Sequence, residues 1–196
     1  MKRFLSFLLL FLAFSSFSFA QEYEDDIEPD YEDDVYIYDT NGAGDRFLKI
    51  NLGGLFPLNF KHQLKVGGEA TIGFYYFLTK QIAVGGELAI SYNLSIGNKI
   101  LIMIPITGGI MFQPSIDKFE FPIFAQIGIG TQTWQNMEKF PTLTTKLSAG
   151  AYYRITDSVS FGLSTDFFWV PEWYKDSSKI FNGLFESASI GLRYHF

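Results

Sequence analysis

The chain has 196 residues and no cysteine, and its 18% aromatic content (22 Phe, 11 Tyr) matches its 18% charged content. Soluble domains carry roughly 25% charged residues, so the composition argues against an ordinary water-soluble domain, and the missing thiols exclude a disulfide framework. The formal net charge of −6 is local: 11 of the 21 acidic residues lie between Glu22 and Asp45, and from Arg46 onward 10 acids face 13 bases.

Residues 1–20 open with Lys2 and Arg3, continue through an apolar run from Phe4 to Phe14, and end with Ser18 and Ala20 before Gln21. Small residues at −3 and −1 after a short apolar core predict a cleaved secretory signal peptide. The run is too short for a spanning helix, which needs ~20 apolar residues. Residues 21–45 are dense in like charge and close on Asn41-Gly42 and Gly44. They predict a disordered, hydrated acidic linker on the periplasmic side, with a partner-contacting or cation-binding tail as the functional alternative.

From Phe47 onward the hydrophobic period is two, over tracts 47–58, 66–78, 82–94, 100–112, 119–134, 143–155, 159–170 and 183–196, separated by breaker-rich links. Eight consecutive strands with short connections predict an all-β fold, an antiparallel up-and-down barrel over residues 46–196. Alternate residues sort sharply. One face holds residues such as Ile50, Leu52, Ile72, Ile102, Leu147, Ile190 and Leu192, with Glu186 as its single charge. The complementary face holds Lys49, Glu69, Glu87, Lys146, Arg154, Asp166 and Arg193 among Gly, Ser, Thr, Asn and Gln.

Alternation alone does not say which face is inside. A soluble barrel buries the aliphatic face; a membrane barrel turns it to lipid and keeps a polar lumen. The tracts are longer than the ~5–6 residues of ordinary strands and sufficient for the 9–11 tilted residues that cross a bilayer. Aromatics on the apolar face cluster at the tract ends, with Tyr76, Phe112, Phe119, Tyr153, Phe161, Tyr194 and Phe196 at one level and Phe56, Tyr92, Phe167 and Trp169 at the other. Two such girdles predict a transmembrane β-barrel.

The ending Ile190-Gly-Leu192-Arg-Tyr194-His-Phe196 resembles the C-terminal signal by which outer-membrane barrels are recognised for insertion, with Tyr194 and Phe196 as its aromatic positions. Together with the leader and the eight tracts, residues 46–196 resemble a small bacterial outer-membrane barrel of the OmpW/OmpA/OmpX kind. The resemblance implies an outer-membrane location, both termini in the periplasm, surrounding lipid and the barrel assembly machinery as partners, and a monomer. Turns 79–81, 113–118 and 156–158 would then be periplasmic, and loops 59–65, 95–99, 135–142 and 171–182 external.

Eight strands leave a lumen that side chains just fill, so Lys49, Lys146, Arg154 and Arg193 are expected to pair with Glu69, Glu87 and Asp166, since buried lone charges are costly. This network reads either as a structural plug or as a gate. In the outer half the inward positions Leu101, Met103, Trp134, Phe168 and Phe185 predict an apolar cup suited to a small hydrophobic ligand, or simply filling for the mouth. Pro105 and Pro122 each remove a ladder hydrogen bond and are expected to weaken the wall locally. OmpW-like proteins are thought to release such ligands sideways into the membrane. The functional expectation is therefore a narrow pore or lateral-exit channel for small apolar solutes, against a structural or adhesive barrel with a closed lumen and binding loops.

Enzyme chemistry is not expected. The two histidines are His62, in a loop without a Ser or acid beside it, and His195, and a nucleophile needs a base within hydrogen-bond reach. No Cys or His/acid cluster suggests a metal, no cofactor is implied, and no basic stripe suggests nucleic acid.

Overall fold

The computed structural model describes residues 41–59, 64–95, 97–134, 137–172 and 181–196. The expected signal peptide, most of the acidic linker and His62 lie outside them. The wall consists of β1 (Arg46–Pro57), β2 (Gly67–Phe77), β3 (Ile82–Leu94), β4 (Ile100–Phe112), β7 (Ile123–Trp134), β8 (Met137–Thr156), β9 (Val159–Glu172) and β10 (Phe181–His195). A rim hairpin, β5 (Ser115–Ile116) and β6 (Phe119–Glu120), interrupts the series. Every wall strand pairs antiparallel with its neighbours in sequence, and pairing of β1 with β10 closes the cylinder. The architecture is all-β, an eight-stranded up-and-down barrel.

All eight tracts have the expected phase. Ile102, Leu147 and Ile190 are 36%, 55% and 53% exposed on the outside, whereas Glu87 and Arg154 are 3% and 5% exposed within. A wall that shows Ile, Leu, Val and Phe outward over its whole circumference, around a buried ionic interior, is stable only where lipid replaces water. Full closure also satisfies the backbone without edges, as a bilayer demands.

Three segments differ from the sequence expectation. Residues 119–134 are not one strand: Pro122 separates β6 from β7, and Phe121 N donates instead to Pro114 O at 2.9 Å. Residues 137–142, expected as loop, extend β8 to 20 residues paired with β7, with a bulge between Gly130 and Gln132 opposite Pro141. Residues 41–45 lie against the barrel instead of hanging free, with Gly44 N donating to Phe77 O at 2.8 Å and Asn41 buried.

Residues 41–45, Phe196, the 78–81 turn, the β5–β6 hairpin and the 157–158 turn share one end of the barrel, called here the terminal end. Gln113 N donates to Gln81 O at 2.7 Å, and His195 N donates to Ser158 O at 2.8 Å. The opposite, far end carries the longer β7–β8 extension.

Candidate functional site

The lumen is stacked in three layers. At the terminal end, β6 turns Glu120 inward because the outward phase belongs to Phe119 and Phe121. Its carboxylate receives Arg154 Nη2 at 2.9 Å and Arg193 Nη1 at 3.2 Å. Gln113 Oε1 accepts a further bond from Arg193 at 2.8 Å, and Asn41 Oδ1 one from Arg154 at 2.9 Å. His195 Nδ1 lies 2.6 Å from Arg154 and Nε2 2.8 Å from Ser160 Oγ. Arginine only donates, so His195 faces it with a ring lone pair. Phe47, Tyr75, Phe77, Met111 and Phe124 pack beside this cluster, and Phe47 stacks on Tyr75 with ring centroids 4.4 Å apart.

The middle layer is centred on Glu87, which binds Lys49 and Tyr75 Oη through one oxygen and Lys146 through the other at 2.6 Å. Lys146 also reaches Asp166 at 2.9 Å, and Glu69 accepts from Thr71 Oγ1 at 3.0 Å. Two tyrosines are laid across the tube over glycines: a Cβ on Gly85 would stand 2.7 Å from the Tyr75 ring, and one on Gly162 2.7 Å from Tyr152. These bare backbone patches let the rings cross a lumen that has no room for two side chains.

The seven charges expected inside are all there. The lysines take Glu87 and Asp166, as expected, whereas the arginines take Glu120, a residue outside the expected set. With Glu120 included, the buried set among the described residues is balanced: Lys49, Lys146, Arg154 and Arg193 against Glu69, Glu87, Glu120 and Asp166. Lys146 and Asp166 are each 1% exposed, so the centre of the middle layer is packed.

In the far half, Leu101, Met103, Phe168 and Phe185 form one buried cluster with Leu55, Leu64 and Val170, and Trp134 packs against it half-buried. The expected apolar cup therefore exists as a filled cluster. Beside it lies a cavity of about 10 Å³ bounded by Met103, Pro105, Gly130, Thr142, Phe168 and Val170, about the volume that a single water needs.

The wall around this cavity is incompletely laced. The β8–β9 ladder runs from Thr156↔Val159 to Thr145↔Trp169 and no further, although both strands continue. Thr144 and Val170, the next pair in that register, line the cavity on either side of the seam. Between β3 and β4 the pairs also lapse from Leu88↔Ile106 to Ser91↔Met103, opposite Pro105. Pro105 has no N–H to donate there. Pro122 lies at the terminal rim, so the two prolines do not weaken one spot as expected.

Tyr194 and Phe196 are exposed on the outer face, and the Phe196 ring is 6.1 Å from Phe74 and 6.0 Å from Tyr194. They form part of the terminal girdle.

Among known proteins, an uncharacterized protein of Treponema pallidum (strain Nichols) is 25% identical over 130 residues, 66% of this chain. The match spans 59% of that relative's length. Neisserial surface protein A superposes with a TM-score of 0.66 at 10% identity, covering 78% of this chain and 99% of its own. The outer membrane protein OprG of Pseudomonas aeruginosa gives 0.52 at 10% identity, covering 81% and 98%. Ail, the attachment invasion locus protein of Yersinia pestis, gives 0.50 at 13% identity, covering 78% and 99%. These likenesses are of fold. A protein-family model matches residues 24–194. With its closed eight-stranded wall, its lipid-facing exterior and that match, the chain belongs to the small outer-membrane β-barrel proteins.

Proposed function

We propose that this barrel, with its termini toward the periplasm, passes small apolar molecules from its outer mouth sideways into the membrane. The observation that carries the reading is the coincidence of three features at one level: the apolar cluster, the adjoining cavity and the unpaired β8–β9 seam between Thr144 and Val170. The ion-paired layers beneath favour a lateral exit over an axial pore, because a solute moving along the axis would have to break buried salt bridges. Apolar contacts have no directional requirement, so the cluster can part around a solute of similar polarity.

The chain has no native cysteine, which makes the seam testable. A Thr144→Cys/Val170→Cys pair places two thiols on either side of the seam at the next register position, and a disulfide between them would hold the strands at close to the ~4.5–5.5 Å Cβ spacing of a paired position. Intact cells producing the oxidised variant should take up naphthalene no faster than cells lacking the protein, and reductant should restore the rate. Uptake indifferent to the crosslink sinks the proposal.

One observation favours a second reading, a closed structural or adhesive barrel: the far half is packed to a residual cavity of about 10 Å³. Wild-type protein that leaves naphthalene uptake unchanged, yet supports cell-surface binding lost on replacing residues 171–182, would favour it.

A further inference from the structure

Among the strand residues whose side-chain burial is described, Glu186 is the one acidic residue turned outward, and it is exposed on β10. It has no hydrogen-bond or ion-pair partner among the described residues. Its cross-strand neighbours on the same face are Phe56 of β1 and Phe167 of β9. Trp169, paired with the adjacent Leu184, is a diagonal neighbour, within reach of long side chains at ~7–8 Å.

Its depth follows from the strand. Glu186 is eight residues from Tyr194 of the terminal girdle, ~27 Å along the strand, or ~20 Å along the membrane normal at the tilt of such barrels. The carboxylate thus stands at the far edge of the apolar band, where headgroups begin. One row deeper the wall is low. Ala149, Thr165 and Ala188 are cross-strand partners, and Thr165 turns its hydroxyl to Ser187 O at 2.8 Å, leaving its methyl outward. Leu147, Phe167 and Glu186 rise above this row, and Leu163 and Ile190 below it.

We infer that Glu186, with Phe56, Phe167 and Trp169, binds the ammonium group of a phospholipid headgroup, one acyl chain lying over Ala149, Thr165 and Ala188. A carboxylate supplies charge complementarity to the ammonium, and aromatic faces add cation–π attraction. A phospholipid brings the cation and an apolar chain at the spacing that the wall presents. A second copy of this chain across a two-fold axis at this face would oppose carboxylate to carboxylate. At the opposite rim a cation takes the aromatic face instead, with Arg46 Cζ 5.7 Å from the Tyr76 ring centroid.

The test uses full-length protein in vesicles doped with spin-labelled phosphatidylcholine or phosphatidylglycerol of identical chains, reading the motionally restricted fraction. Wild type should hold phosphatidylcholine about three- to fivefold over phosphatidylglycerol. Glu186→Gln should bring the ratio to about one, and Glu186→Lys should invert it, heat-modifiable gel mobility confirming the fold of each. Equal ratios in wild type and Glu186→Gln, or a dimer crosslinked through this face, would overturn the assignment.

Discussion

The terminal and far halves of the lumen are both filled, but by different chemistry. In the terminal half the charged fillers are held by directional contacts, such as Glu120 between Arg154 and Arg193, with Phe47, Phe77, Met111 and Phe124 packed beside them, and the wall there is paired from Thr145 to Thr156 on β8. In the far half the fillers are Leu55, Met103, Phe168 and Phe185, and the wall beside them loses its β8–β9 ladder. Removing one member of a hydrogen-bonded ionic set strands the others in a low dielectric, so the terminal half cannot loosen in steps. An apolar cluster loses contact area gradually and can rearrange. On the proposed function, the half that opens is the half without the ion pairs.

The sharpest way to break this contrast is Glu120→Ala. It leaves two buried arginines without their shared carboxylate, a type of change that destabilises by ~3–5 kcal/mol. Urea unfolding of the protein in vesicles should register the whole loss, whereas naphthalene uptake by cells should follow only the amount of folded protein. A stability within ~1 kcal/mol of wild type would mean that the terminal cluster is as soft as the far one.

Glu120 also marks what the sequence makes legible. A period of two needs only a chain's local pattern, so the strands, their phase and the burial of Lys49, Glu87, Lys146 and Arg193 follow from residues a few positions apart. Parity even points Glu120, Leu55 and Val170 inward, since their neighbours Phe119, Phe56 and Trp169 face out. They were missed because Glu120 is isolated between Lys118 and Pro122, while Leu55 and Val170 look like ordinary strand aliphatics. Partner choice is a different matter. That Glu120 meets Arg154 and Arg193, and that Asn41 reaches Arg154 across 113 positions, depends on closure of the cylinder, which no local period encodes. The β8 extension was hidden for a third reason: Pro141 reads as a breaker, and the bulge opposite Thr131 accommodates it.

Met103→Ala probes the softer half. Truncating a buried methionine costs ~2–5 kcal/mol, the lower end applying where neighbours collapse into the space. Loss near ~2 kcal/mol with faster naphthalene uptake is expected, because the cluster can relax and the cavity beside Pro105 widens. A slower uptake would separate the cavity from the passage.

Asn41→Ala asks how firmly the terminal mouth is closed by residues outside the wall. The Asn41 carbonyl accepts from the Arg154 guanidinium at 2.9 Å, and hydrogen bonds to charged groups contribute ~1.5–3 kcal/mol. Arg154 keeps Glu120 and His195 as partners, so the loss should stay at ~1–2 kcal/mol in the same unfolding assay. Uptake should not change, since the seam lies at the other end.

The smallest effect belongs to Pro105→Val, and its sign is opposite. Pro105 pairs with Gly130 on the β7 side, while the β3 ladder lapses over Ala89 and Ile90. A valine there restores an N–H toward β3 and suits an inward strand position, so unfolding should become harder by ~0.5–1 kcal/mol. The consequence for passage is the informative part. If the β3–β4 lapse lends the far wall the slack that the β8–β9 seam uses, naphthalene uptake falls as stability rises. Unchanged uptake alongside greater stability would confine the opening to the seam, because the two defects flank the same cavity and closing one leaves the other as the exit.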